Sequence, residues 1–394
     1  MKITKVTPFL TCPGRNYVWV KVETDEGLYG WGEGTLLWSE AEVYARLQDI
    51  APRLVGMDSA RIEDMWHYLY ARTYWRGGPI MNSALAAIDM ALWDIMGKRC
   101  GLPLYQLLGG KSREGVLVYT YAQGETLPEV EDAARSLLEQ GYKAVRVQQG
   151  EYGGPGLSHQ SYAGESQAGT YYFNPALYLE SAPKMLEYLR LQLGPEVELL
   201  HDAHNKLTPI EACQLVKRVE PYRLFFLEDP LRPEHRDSFR LLRQHSTTAL
   251  AMGEIYHSRW DMLQLFQEQL IDYYRLPPVH CGGITEAKKI AAMAEPYLIR
   301  SAFHGSDDMG PVAQAASVHV SRNIHNFGIL EWTDFLPQVY EVVKGLCYFR
   351  DGLVYSQESP GLGIDVDERA LARFPYEPWD APIVRRIDGT MHVY

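Results

Sequence analysis

The sequence predicts an α/β fold. A (β/α)8 TIM-like barrel is expected over residues 113–345, after an N-terminal α+β capping domain over 1–112, with a C-terminal segment, 346–394, returning to the cap. Three observations predict it. Eight short apolar runs begin at 116, 143, 197, 223, 249, 271, 298 and 326. Three of them end on acids 26 residues apart, at Asp202, Glu228 and Glu254. Before residue 113 strands precede helices without alternating, which marks an α+β arrangement. A run of 4–8 apolar residues bounded by Gly, Pro or polar residues reads as a strand buried on both faces.

In chain order, residues 3–34 read as an antiparallel meander. Asn16-Tyr-Val-Trp-Val-Lys-Val-Glu alternates, and Asp25-Glu-Gly supplies a turn before Trp31-Gly-Glu-Gly. Residues 39–112 read as helices. The Ala-rich stretch from Asn82 is apolar at helical spacing and is expected to end near Gly97. From 113 onward the runs start 22 to 28 residues apart, with one exception. That spacing fits a strand, a helix and two short loops, and eight such repeats favour a closed barrel. The exception is an insertion, 150–174, rich in Gly, Ser and Tyr, with Tyr152, Tyr162, Tyr171 and Tyr172. A long loop at the C-terminal end of a barrel strand is a lid or a disordered insertion, and its aromatics favour a lid. Residues 346–394 are too few for a domain and are expected to pack back on the N-terminal domain or the barrel mouth.

Composition narrows the function. A 46% hydrophobic chain of 394 residues can bury a sizeable core. The net charge of −12, with no basic run, argues against nucleic acid or an anionic membrane as partner. No apolar run reaches the roughly 18 residues a membrane span needs. Met1-Lys2-Ile3-Thr4-Lys5 leads into a mixed segment, so no signal peptide is expected. Five scattered cysteines without CxxC spacing fit reduced thiols in a cytoplasmic chain. A homo-oligomer acting on a small molecule is the expected assembly.

If the barrel forms, its strand tips make one ring of chemistry. Strand two brings Arg146, strand three Asp202 and His204, strands four and five Glu228 and Glu254. Strand six brings Arg275, strand seven His304 and Asp308, and strand eight Glu331. Three hard carboxylates at neighbouring tips suit Mg2+. A metal that chelates a substrate carboxylate acidifies the adjacent C–H; a base can then remove that proton and an acid expel a β-hydroxyl. Each residue has a plainer reading as well. His204 could only orient a ligand, His304 could brace a loop, and Arg146 could be a counter-ion inside the barrel.

These residues resemble the enolase superfamily, in its mandelate-racemase-like branch, and within it the D-mannonate dehydratase group of acid-sugar dehydratases. The matching stretches include Gly141-Tyr-Lys-Ala-Val-Arg-Val-Gln, His201-Asp-Ala-His-Asn-Lys-Leu-Thr-Pro, Leu224-Phe-Phe-Leu-Glu-Asp-Pro, His280-Cys-Gly-Gly-Ile-Thr and Asn326-Phe-Gly-Ile-Leu-Glu. Sites of this superfamily pair a base with Mg2+ that stabilises an enediolate, a property of the superfamily and not a deduction from this chain. The resemblance implies Mg2+ on Asp202, Glu228 and Glu254. It implies His204 as the acid that protonates a leaving 3-hydroxyl, and a loop tyrosine assisted by Arg146 as the base at C2. Tyr162 is the expected base and Tyr152 the reserve. His204, Glu254, Arg275, His304, Asp308 and Glu331 match substrate-binding positions. Two positions depart: Leu37 stands where the group usually has Asn, and Tyr121 where it has His. Loss of an Asn donor removes about 0.5–1.5 kcal/mol of hydrogen bonding. The expected reaction is Mg2+-dependent dehydration of a sugar acid to a 2-keto-3-deoxy acid. Racemisation or epimerisation of a hydroxy acid, with His304 opposite Tyr162, is the same-class alternative. A metal-binding homologue with little turnover, used as a sensor or assembly protein, is the other.

Overall fold

The computed structural model describes residues 1–164, 169–305 and 309–393. The chain forms two compact units. The first comprises Met1–Leu117, Glu254–Gln264 and Arg275–Trp379; the second comprises Val118–Gly253, Leu265–Tyr274 and the chain from Asp380 onward.

The first unit opens with the expected meander, Ile3–Thr11, Tyr17–Thr24 and Tyr29–Glu33, paired antiparallel in sequence order. The second strand buries Val18, Val20 and Val22 on one face and Tyr17 and Trp19 on the other. The Ala-rich helix Pro79–Cys100 lies on this sheet and runs past Gly97 until Gly101, at φ 67°, ends it. The approach is close enough to demand glycine. A Cβ at Gly30 would sit 2.1 Å from the Ala91 carbonyl oxygen, and one at Gly32 would sit 1.8 Å from that of Ala87. Those contacts explain the Gly-x-Gly pattern around Trp31, because only backbone without a side chain lets helix and sheet meet there. The strands Arg300–Ser301 and Leu330–Glu331 also lie in this unit.

The second unit holds six strands in parallel succession: Val116–Gly124, Ala144–Gln149, Glu198–Asp202, Phe226–Glu228, Leu250–Met252 and Tyr273–Tyr274. All eight predicted barrel strands are therefore present as strands. Two of the intervening helices start on capping boxes, Thr126 with Glu129 and Thr208 with Glu211, each satisfying backbone N–H groups that a helix start leaves open.

Two expectations are refined. The insertion 150–174 carries two short strands among its described residues. Leu157–Ser158 pairs antiparallel with Thr170–Phe173, which pairs parallel with Ile383–Arg386. The tail also divides. Its earlier part returns to the N-terminal strands, where the Cys12 N–H donates to the Phe374 carbonyl at 2.9 Å and the Trp31 indole donates to Asp365 at 3.0 Å. From Asp380 it joins the second unit instead and supplies the third strand of the insertion's sheet.

Candidate active site

The second unit gathers Arg146, Tyr152, Asp202, His204 and Glu228. Asp202 and Glu228 are Cα partners at the ends of adjacent parallel strands, and both are fully buried. Asp202 Oδ1 accepts the backbone N–H of His204 at 2.6 Å, an Asx-type turn. That turn holds His204 and Asn205 at φ 48° and 60°, where a side chain costs about 1–3 kcal/mol of strain per residue. The strain is offset because the turn is tied to the next strand tip: Ala203 N–H donates to the Glu228 carbonyl at 3.0 Å and Asn205 N–H to that of Asp229 at 2.8 Å.

Arg146 Nη1 lies 3.3 Å from Asp202 Oδ2 and 3.8 Å from Glu228 Oε2. Its Nη2 donates to the Tyr152 hydroxyl at 2.5 Å. The Tyr152 ring stacks on His204, centroids 3.9 Å apart at 12°. Tyr121 lies under the guanidinium at 4.1 Å from ring centre, a cation–π support at the position where a departure was expected to matter. Lys206 is buried, and burial lowers its pKa to about 8 against the pull of Asp202. Its Nζ stands 3.4 Å from His204 Nδ1.

The first unit gathers Glu254, Arg275, His304 and Glu331. Arg275 Nη2 donates to Glu331 at 2.6 Å and to Glu254 at 3.3 Å. His304 Nε2 is 3.8 Å from both of those carboxylates. Arg275 and Glu331 have no exposed surface and form a buried pair. Beside them, burial pushes His280 down to about 3, so its ring is neutral. Asp308 lies outside the described residues. The helix Pro311–Asn323 begins with N–H groups of Val312 and Ala313 that converge, with that of Gly310, on the buried Glu33 carboxylate at 2.5 to 3.1 Å.

The structure does not bring Tyr162 to this chemistry. Its side chain is 75% exposed, and its backbone N–H donates to the Ile387 carbonyl. Tyr152 is the loop tyrosine beside Arg146 and His204. His201 is structural: it is buried between the Val147 carbonyl and the Tyr178 hydroxyl, with its pKa lowered by burial to about 4. Leu37 is half-buried in the first unit.

The donor set suits a hard cation. Asp202 and Glu228 stand beside Arg146 in one unit, and Glu254 and Glu331 beside Arg275 in the other. Hard carboxylate oxygens of this kind are the usual ligands of Mg2+. Among the described residues no three His, Cys, Asp or Glu side chains are gathered as a metal site, and guanidinium groups stand beside these carboxylates.

Residues 4–109 match the family "Mandelate racemase / muconate lactonizing enzyme, N-terminal domain" and residues 129–370 match "Enolase C-terminal domain-like". This chain belongs to the enolase superfamily. It has that superfamily's N-terminal capping domain and C-terminal TIM barrel. A crystal structure of an enolase superfamily protein from Pantoea ananatis, with bound D-gluconate and Mg, superposes with a TM-score of 0.95 at 42% identity over 99% of both chains. A D-mannonate dehydratase of Caulobacter sp. (strain K31) is 45% identical over 100% of this chain and 99% of its own. A D-galactonate dehydratase family member of Halomonas elongata is 44% identical over 99% of each.

Lys206 and Glu33 stand in or beside these clusters at positions that sequence reading did not assign. Lys206 was signalled by its spacing, two residues past His204 in one motif. Glu33 had only its setting between two glycines.

Proposed function

We propose that this chain is a Mg2+-dependent sugar-acid dehydratase of the D-mannonate/D-gluconate type, forming a 2-keto-3-deoxy acid. The observation that carries the reading is the stacked Tyr152–His204 pair, bonded to Arg146 beside Asp202 and Glu228. Relatives named D-mannonate dehydratases at 45% and 46% identity, and a D-gluconate- and Mg-bound neighbour, support it.

Asp202, Glu228 and Glu254 would hold the ion. When bound, Mg2+ supplies Lewis-acid stabilisation of the charge that develops on the substrate carboxylate. Tyr152, as the phenolate that the Arg146 guanidinium stabilises by a charge-assisted bond, takes the proton from C2 and becomes the phenol. The Lys206 ammonium can only donate, so His204 Nδ1 accepts and the ring proton resides on Nε2. That proton goes to the 3-hydroxyl, which departs as water. Tyr162 is replaced by Tyr152 as the base in this reading, because Tyr152 alone of the two reaches Arg146. Arg275 and Glu331 orient Glu254 and His304, and His304 and Asp308 remain substrate-binding candidates.

The domain limits 1–112, 113–345 and 346–394, a homo-oligomeric assembly and a cytoplasmic location belong to the same reading. All five cysteines are free thiols, and no described helix is long and apolar enough to cross a membrane. The test is turnover of D-mannonate, D-gluconate and related aldonic acids with Mg2+, native against Glu228→Gln. Formation of a 2-keto-3-deoxy acid only by the native protein supports the reading; turnover that survives the substitution removes the metal role.

A further inference from the structure

The last described turn of the chain carries an imidazole with three partners. His392 Nε2 donates to the Lys206 carbonyl at 3.0 Å, and its Nδ1 accepts from Arg232 Nη2 at 2.8 Å. Its ring stacks on Phe173, centroids 5.4 Å apart at 12°. His392 is 8% exposed, so these contacts are made away from bulk water. Each partner stands on a different loop of the second unit. Phe173 ends the inserted loop that carries Tyr152. Lys206 ends the strained turn that carries His204. Arg232 follows the strand that ends on Glu228.

We infer that His392 is a positioning residue, and that the segment 383–392 is a strap holding these three loops in register for the reaction. The inference rests on the dehydratase reading above. The backbone supports it. Ile383–Arg386 pairs with Thr170–Phe173, the Ile387 N–H donates to the Phe173 carbonyl at 3.1 Å, and the His392 N–H donates to Val384 at 2.9 Å. The strap thus closes on itself and places the imidazole. A neutral ring is required, since one nitrogen must donate while the other accepts from a guanidinium. Burial, with Arg232 and Arg386 nearby, lowers the His392 pKa to about 4 and keeps the ring neutral.

Two variants of the full chain test this. His392→Phe keeps the stacked ring and loses both hydrogen bonds. His392→Gln can restore both, with its amide N–H donating and its amide oxygen accepting. Two readouts are taken: kcat and KM with Mg2+, and the rate of Glu-C cleavage after the exposed Glu151 in the inserted loop. Expected for His392→Phe is a kcat about tenfold lower with KM within about threefold, and cleavage at least about fivefold faster. His392→Gln should recover most of both. A Phe variant with native kcat and native cleavage, or a Gln variant no better than Phe, overturns the inference. If the native protein turns over no sugar acid, the dehydratase reading fails, and the cleavage contrast still decides the strap.

Discussion

Replacing Glu331 by Gln should destabilise the chain more than almost any other single change near the candidate site. Glu331 has no exposed surface, and it accepts from Arg275 at 2.6 Å and from the Gly305 N–H at 3.1 Å. Removing one member of a buried pair leaves the other charge uncompensated, at about 3–5 kcal/mol. Glu254 stands 3.3 Å from the same guanidinium nitrogen and compensates in part, so the lower end, about 3 kcal/mol, is expected. Removing both charges, as Arg275→Met with Glu331→Leu, should cost less than the sum of the two single changes, because the double variant leaves only Glu254 without its guanidinium. The assay is urea unfolding followed by circular dichroism, with the denaturant slope checked for constancy. A loss under about 1 kcal/mol for Glu331→Gln would refute the buried-pair argument. So would a double variant as unstable as the sum of the two single ones.

Other outcomes follow from the same geometry. Tyr152→Phe should lower kcat by about 10²- to 10⁴-fold, the usual worth of a general base, while Tyr162→Phe changes it by less than about fivefold; steady-state kinetics decide, and the reverse order would return the base to Tyr162. Lys206 has a folded pKa of about 8 against an ordinary value of 10.5. Below pH 8 both states hold the proton and the burial penalty is complete. Between 8 and 10.5 the folded state releases it first, so stability rises with pH, by about 3 kcal/mol in all. Lys206→Met should flatten that rise in urea titrations, and parallel pH profiles for variant and native would contradict it.

Much of this was legible in the sequence because it is periodic. A buried parallel strand needs a short apolar run, and the acid at each strand end stops that run, so the strands ending on Asp202 and Glu228 could be placed to within a few residues. The Gly-x-Gly at 30–32 could be seen, but not the helix backbone that requires it. What was not legible depends on which distant groups meet. Arg275 and Glu331 are 56 residues apart, and nothing local tells a buried pair from two substrate contacts. The inserted loop offers four tyrosines of one type, and only the folded chain stacks Tyr152 on His204. Tyr121 was read as a lost histidine. Its ring face under Arg146 becomes visible only when adjacent strands are in register, Tyr121 opposite Arg146. The tail's division at Asp380 had no compositional mark, since both of its parts are short strands and turns.

The central claim is that Asp202, Glu228 and Glu254 share one divalent ion. Crystals grown with Mn2+ in place of Mg2+, with diffraction recorded at a wavelength where manganese scatters anomalously, test it most directly. The account predicts a single strong anomalous peak with a carboxylate oxygen of each of the three residues at about 2.0–2.3 Å. A peak elsewhere, or none in native crystals at saturating Mn2+, would contradict it.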